Sequence, residues 1–119
     1  MTQTLANIFG RSVSVSGSLV TFDLADFEDS NGNPILADPA NATNNQKIAC
    51  VIAGIHANSK PSTDENGLVV ADKTDVLVSS DSFAPKTFEV RQDESQVKHE
   101  FIFSVYTVDS TIFDPDNAI

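Results

Sequence analysis

The chain has 119 residues, with seventeen acidic side chains against seven basic for a net charge of −10, eight Phe, no Trp and a single Cys. Such a length makes one domain that buries roughly two-thirds of its unfolded surface without metal or disulfide staples. The charge argues against nucleic acid, whose phosphates need clustered Lys and Arg, and against an anionic membrane surface; the lone Cys50 rules out an internal disulfide.

Residues 1–10 read as an N-terminal arm, helical turn or extended, with Leu5, Ile8 and Phe9 apolar and Gly10 at its end. This opening has neither a basic segment nor a long apolar one, so no secretory signal is expected, and the localisation read from it is virion or cytoplasm. No apolar run approaches the ~18 residues of a membrane span. Residues 11–16 alternate around Val13 and Val15 as a short strand, and Gly17-Ser18 make a turn. Residues 19–27 set Val20, Phe22 and Leu24 against Thr21, Asp23 and Ala25, the pattern of a half-buried strand.

Residues 28–46, EDSNGNPILADPANATNNQ, form a long polar loop. Asn31-Gly32 is a strong hairpin signal, after which Ile35 and Leu36 pair back. Loops beyond about 12–15 residues in a compact domain are usually functional or partner-bound, so this loop is the expected contact surface. Residues 47–57, KIACVIAGIHA, are expected to form a buried strand, with a buried helix as the rival. Periodicity cannot separate the two in so short a run, and the β-branched content and internal Gly54 favour the strand.

Residues 58–67 read as a loop, residues 68–71 and 75–79 as a hairpin around Asp72-Lys73, and residues 80–85 as another loop. A strand over 87–92 turns at Asp93-Glu94 into residues 97–108, VKHEFIFSVYTV, the densest apolar and aromatic stretch in the chain. A two-residue turn there sets Val90 opposite Val97 and Glu89 opposite Lys98. From Phe101 onward both faces are apolar, as in a strand that runs from a wet hairpin into an interior. Residues 110–119 are a C-terminal tail with Ile112 and Phe113 ahead of Asp114-Pro115-Asp116. These elements predict one all-β domain over 1–119, an antiparallel β-sandwich or barrel of about 7–8 strands, Ig-like or jelly-roll-like, with extended terminal segments.

Chemistry-bearing patterns are sparse. As strand residues, Cys50 and His56 would lie roughly 20 Å apart and form no dyad, leaving only His99 on another strand as a base. There is no Gly-x-Ser-x-Gly elbow, and the five glycines are too scattered to cradle a phosphate. Two His and one Cys make no zinc set. Asp29-x-Asn31-Gly32 partly mimics a Ca²⁺ loop, but Phe27 stands where the first ligand belongs and Asp38 where a bidentate Glu belongs. A looser oxygen cage could draw on Asp23, Asp26, Glu28 and Asp29.

The expectation is therefore no catalytic, cofactor-binding or metal residue and no enzyme. Partner contacts are expected at Leu5, Ile8, Phe9, Asn31, Ile35, Leu36, Ile112 and Phe113. The functional expectation is a non-catalytic structural subunit of a larger symmetric assembly. A virion component such as a capsid decoration, cement or tail protein fits, acting through protein–protein contacts as a homo-oligomer or repeated subunit. The alternative is a monomeric Ig-like binding or adhesion module that recognises a ligand through its loops, with or without Ca²⁺, since a shared architecture does not fix function.

Overall fold

Thr4 and Asn7 start the first element: each side chain bonds the other's backbone N–H, a reciprocal cap that opens helix α1 (Leu5–Phe9). The computed structural model describes residues 3–29, 31–60, 62–63, 65–66, 69–70, 76–80, 87–108 and 112–118. Strands β1 (Ser14–Ser16) and β2 (Leu19–Thr21) follow as an antiparallel hairpin. The strand expected over 19–27 ends at Thr21. Asp23 Oδ1 accepts the Ala25 N–H at 2.9 Å and turns the chain into a 3-10 turn over Leu24–Asp26. The next loop is tied down locally. Asp29 Oδ1 accepts the Asn31 and Asn33 N–H groups at 2.9 and 3.0 Å, and Ile35 N–H donates back to Phe27 O at 3.1 Å.

Residues 47–57 form no strand. They belong to α2 (Asn44–Asn58), a helix of 15 residues, and its presence overturns the all-β assignment. Its start is chemically specified: Thr43 Oγ accepts the Gln46 N–H at 3.2 Å and Gln46 Oε1 accepts the Thr43 N–H at 2.9 Å. This Thr-x-x-Gln box satisfies two donors that a bare helix end leaves unpaired. Thr43→Ala is expected to lower stability by about 1 kcal/mol in urea unfolding; no loss would mean the helix needs no cap.

The remaining strands are β3 (Ser62–Thr63), β4 (Val69–Val70), β5 (Leu77–Ser80), β6 (Thr87–Arg91), β7 (Glu94–Lys98) and β8 (Ile102–Val105). The expected hairpin between 68–71 and 75–79 does not form. β4 pairs with β3 and β5 pairs with β8, while the proposed turn at Asp72-Lys73 and most of the 80–85 loop lie outside the described residues. The β6–β7 turn falls one position earlier than expected. Gln92 and Asp93 take positive φ of 50° and 64°, the conformation whose twist suits a two-residue hairpin loop. Phe88 therefore faces Val97, Val90 faces Ser95, and Glu89 faces Gln96. Glu89 still reaches Lys98, at 3.1 Å, as a diagonal neighbour.

Among the described residues the eight strands make four separate two-stranded sheets, not a sandwich or barrel. The physical reason is length: strands of 2–5 residues offer too little face to stack sheet on sheet, and α2 takes the place expected of a central strand. β5 pairs with β8 across the intervening β6–β7 hairpin, and the two pairs are separate sheets.

Packing centres on α2. Phe27 is fully buried, its ring against Gly54, where an added Cβ would come within 2.5 Å of the ring's Cγ. Phe22 meets Phe27 edge-on at 5.7 Å and stacks on Phe9 at 5.0 Å, which joins α1 to the cluster. Asn58 Nδ2 donates to Ile8 O at 2.8 Å. The Gln3 amide bonds both backbone groups of Leu77, at 2.7 and 3.0 Å, and Ser79 N–H donates to Ser59 O. His56 packs edge-on against Phe101 and Phe103, which ties β8 and the residue just before it to the end of α2. Val108 N–H donates to Asn117 O at 2.6 Å, so the tail folds back beside β8. Among the described residues, the buried apolar side chains are Ile8, Phe27 and Cys50.

Candidate assembly interface

The β6–β7 hairpin has two unlike faces. Strand alternation places Phe88, Val90, Ser95 and Val97 on one and Glu89, Arg91, Glu94, Gln96 and Lys98 on the other. A hairpin so divided normally lays its apolar face on a core. Here Phe88 is 78% exposed and Val90 74%, so that face meets solvent. On the charged face Lys98 Nζ lies 3.1 Å from both Glu89 and Glu100. Hydrogen bonds to these two carboxylates raise the Lys98 ammonium above its ordinary range. The pairs are open to water, so they add little to the stability of the hairpin.

A groove of about 580 Å³ lies along α2, walled by Ile35, Leu36, Ala49, Ile52, Ala53 and Phe101. It is apolar apart from Gln46 and His99 at its rim and carries no carboxylate. Cys50 lies beneath it, 1% exposed, and burial pushes its thiol up, away from the reactive thiolate. The helix itself is apolar around much of its circumference, as buried helices are. Its own chain leaves Ile48 62% exposed.

The residues singled out in the sequence scatter. Ile35 and Leu36 come together on the groove wall. Ile8 is buried and Phe9 is stacked on Phe22, so both serve the interior of their own subunit. Leu5, Ile112 and Phe113 are exposed, and Asn31 is held in the Asp29 turn. The acidic cage is not assembled: Asp23 caps the 3-10 turn, Asp26 accepts the Ser12 N–H and pairs with Arg11, and Asp29 closes its own turn. Among the described residues no group of three or more His, Cys, Asp or Glu could hold a metal ion, and no helix is long and apolar enough to cross a membrane. The sequence reading missed Phe88, Val90 and Val97 as surface residues, although their shared face follows once the turn is placed at Gln92-Asp93.

No family model, curated protein or solved structure matches this chain.

The amount of exposed surface is the feature that ties hairpin and groove together. The chain exposes 8969 Å², whereas a folded monomer of 12.8 kDa exposes about 6,300 Å². Permanent protein–protein contacts bury roughly 2,000–5,000 Å² over both partners, about 1,000–2,500 Å² per chain, so an excess of about 2,700 Å² per chain is as large as such contacts take up. The radius of gyration, 16.3 Å, likewise exceeds the ~13.5 Å of a compact domain of this length.

Proposed function

We propose that this chain is a non-catalytic structural subunit of a repeating assembly, acting through protein–protein contacts with further copies of itself, and that the assembly is a virion part such as a capsid decoration, cement or tail. The observation that carries this reading is the excess of about 2,700 Å² of exposed surface over a closed monomer. Exposed apolar patches of this kind mark interaction surfaces in soluble proteins. The net charge of −10 keeps dispersed copies apart and soluble until contacts form. The adhesion-module alternative drew on an expected strand sandwich and on the turn over residues 29–34; the separate two-stranded sheets among the described residues remove the first of these.

Two observations test the reading. Electron microscopy of the concentrated protein is expected to show rings, tubes or sheets of uniform repeat; a field of isolated small particles at all concentrations would count against it. Genes for capsid or tail proteins beside its own support the virion part of the proposal, and a neighbourhood of metabolic enzymes alone contradicts that part.

A further inference from the structure

We infer that the apolar face of the β6–β7 hairpin seats in the α2 groove of a second copy of this chain, so that copies join head to tail. This rests on the assembly reading above and names the surfaces that carry it.

The argument begins with the two unmatched surfaces. The hairpin offers one large knob, Phe88, beside Val90 and Val97; the groove offers an uncharged apolar slot of about 580 Å³, within the size range of sites that bury small ligands. The hairpin does not fill its own groove, because Phe88 and Val90 remain mostly in solvent. Charge does not oppose the same pairing. Residues 87–98 carry two basic and three acidic side chains, a net −1, so −9 of the net charge of −10 lies elsewhere. The hairpin is thus the nearly neutral segment that a second acidic copy repels little.

Area decides against a symmetric hairpin-on-hairpin pair. A ribbon of two five-residue strands measures roughly 17 Å by 10 Å, and one such face covers only a few hundred Å². That leaves the groove open; a head-to-tail contact covers about twice that area per chain, though it too takes up only part of the excess of about 2,700 Å². A head-to-tail contact uses both surfaces of every copy and buries two patches per chain. Such contacts close into rings or continue as filaments.

The test uses two variants at exposed positions. Phe88→Glu damages the hairpin and leaves the groove; Ala49→Glu fills the groove and leaves the hairpin, with Ile52→Glu as its replacement if circular dichroism shows that Ala49→Glu does not fold. Light scattering reads the mass of each variant alone and of their equal mixture. Each variant alone is expected to associate at least about 30-fold more weakly than the parent, as loss of a central anchor does. The mixture is expected to form a species of two chains and stop there, since it holds one sound hairpin facing one sound groove. A parent that assembles while either folded variant assembles equally well, or while the mixture gains nothing, overturns this pairing and leaves the assembly reading standing. A parent that stays monomeric overturns both.

Discussion

Phe27→Ala is expected to lower the free energy of unfolding by about 3–5 kcal/mol, the usual cost of removing a fully buried aromatic ring. Phe27 has no exposed surface, rests on Gly54 of α2, and meets Phe22, which in turn stacks on Phe9 of α1. Removing the ring opens a cavity where the 3-10 turn, α1 and α2 converge, and the small buried set has little with which to refill it. Against a total of roughly 5–15 kcal/mol for a domain, the loss takes a large share. Urea unfolding followed by far-UV circular dichroism, at a concentration low enough to keep copies apart, reads it. A cost below about 1 kcal/mol would mean that the cluster does not hold the helices together.

Gly54→Ala should also destabilise, by about 1–3 kcal/mol or more, although alanine is the better helix former by about 1 kcal/mol. On an exposed helix face propensity would win. At Gly54 the new methyl falls within 2.5 Å of Phe27 Cγ, and nearer still to Cδ1. The ring has little freedom to move, because it is fully buried and in edge-on contact with Phe22, which in turn stacks on Phe9. Phe27→Leu in the same chain should recover part of the loss, so the double variant is more stable than the two single costs predict. Strict additivity would mean that the two positions do not press on one another.

The sequence carried more of α2 than the strand reading took from it. Thr43-Asn44-Asn45-Gln46 spells a capping box ahead of an apolar run, and that local signal outweighs the β-branched content of Ile48, Val51, Ile52 and Ile55. The run itself shows no one-sided period, because small and apolar residues surround the helix, so periodicity could not contradict the strand. The β6–β7 hairpin was legible as an element, yet its turn was displaced by one residue. Gln92-Asp93 lacks the Gly that marks such turns, and Asp93 takes positive φ by the tolerance of a short polar side chain. The pairing of β5 with β8 spans the whole hairpin between them, and no local pattern encodes so distant a partner.

The candidate interface was half visible for a related reason. Ile35 and Leu36 stood out as apolar residues inside a polar loop, and the structure places both on the groove wall. Phe88, Val90 and Val97 looked like ordinary inward positions of an alternating strand. Alternation says which residues share a face but not whether the chain itself covers that face. With strands this short and paired only two by two, nothing among the described residues is laid over it.

Sedimentation equilibrium across a wide range of protein and salt concentrations tests the central claim, that a single copy leaves open an apolar surface which further copies close. The mass is expected to rise above 12.8 kDa in whole multiples as protein concentration increases. It should rise more readily in added salt, which screens the mutual repulsion of chains carrying −10 each. A mass fixed at 12.8 kDa at every protein and salt concentration would contradict the account.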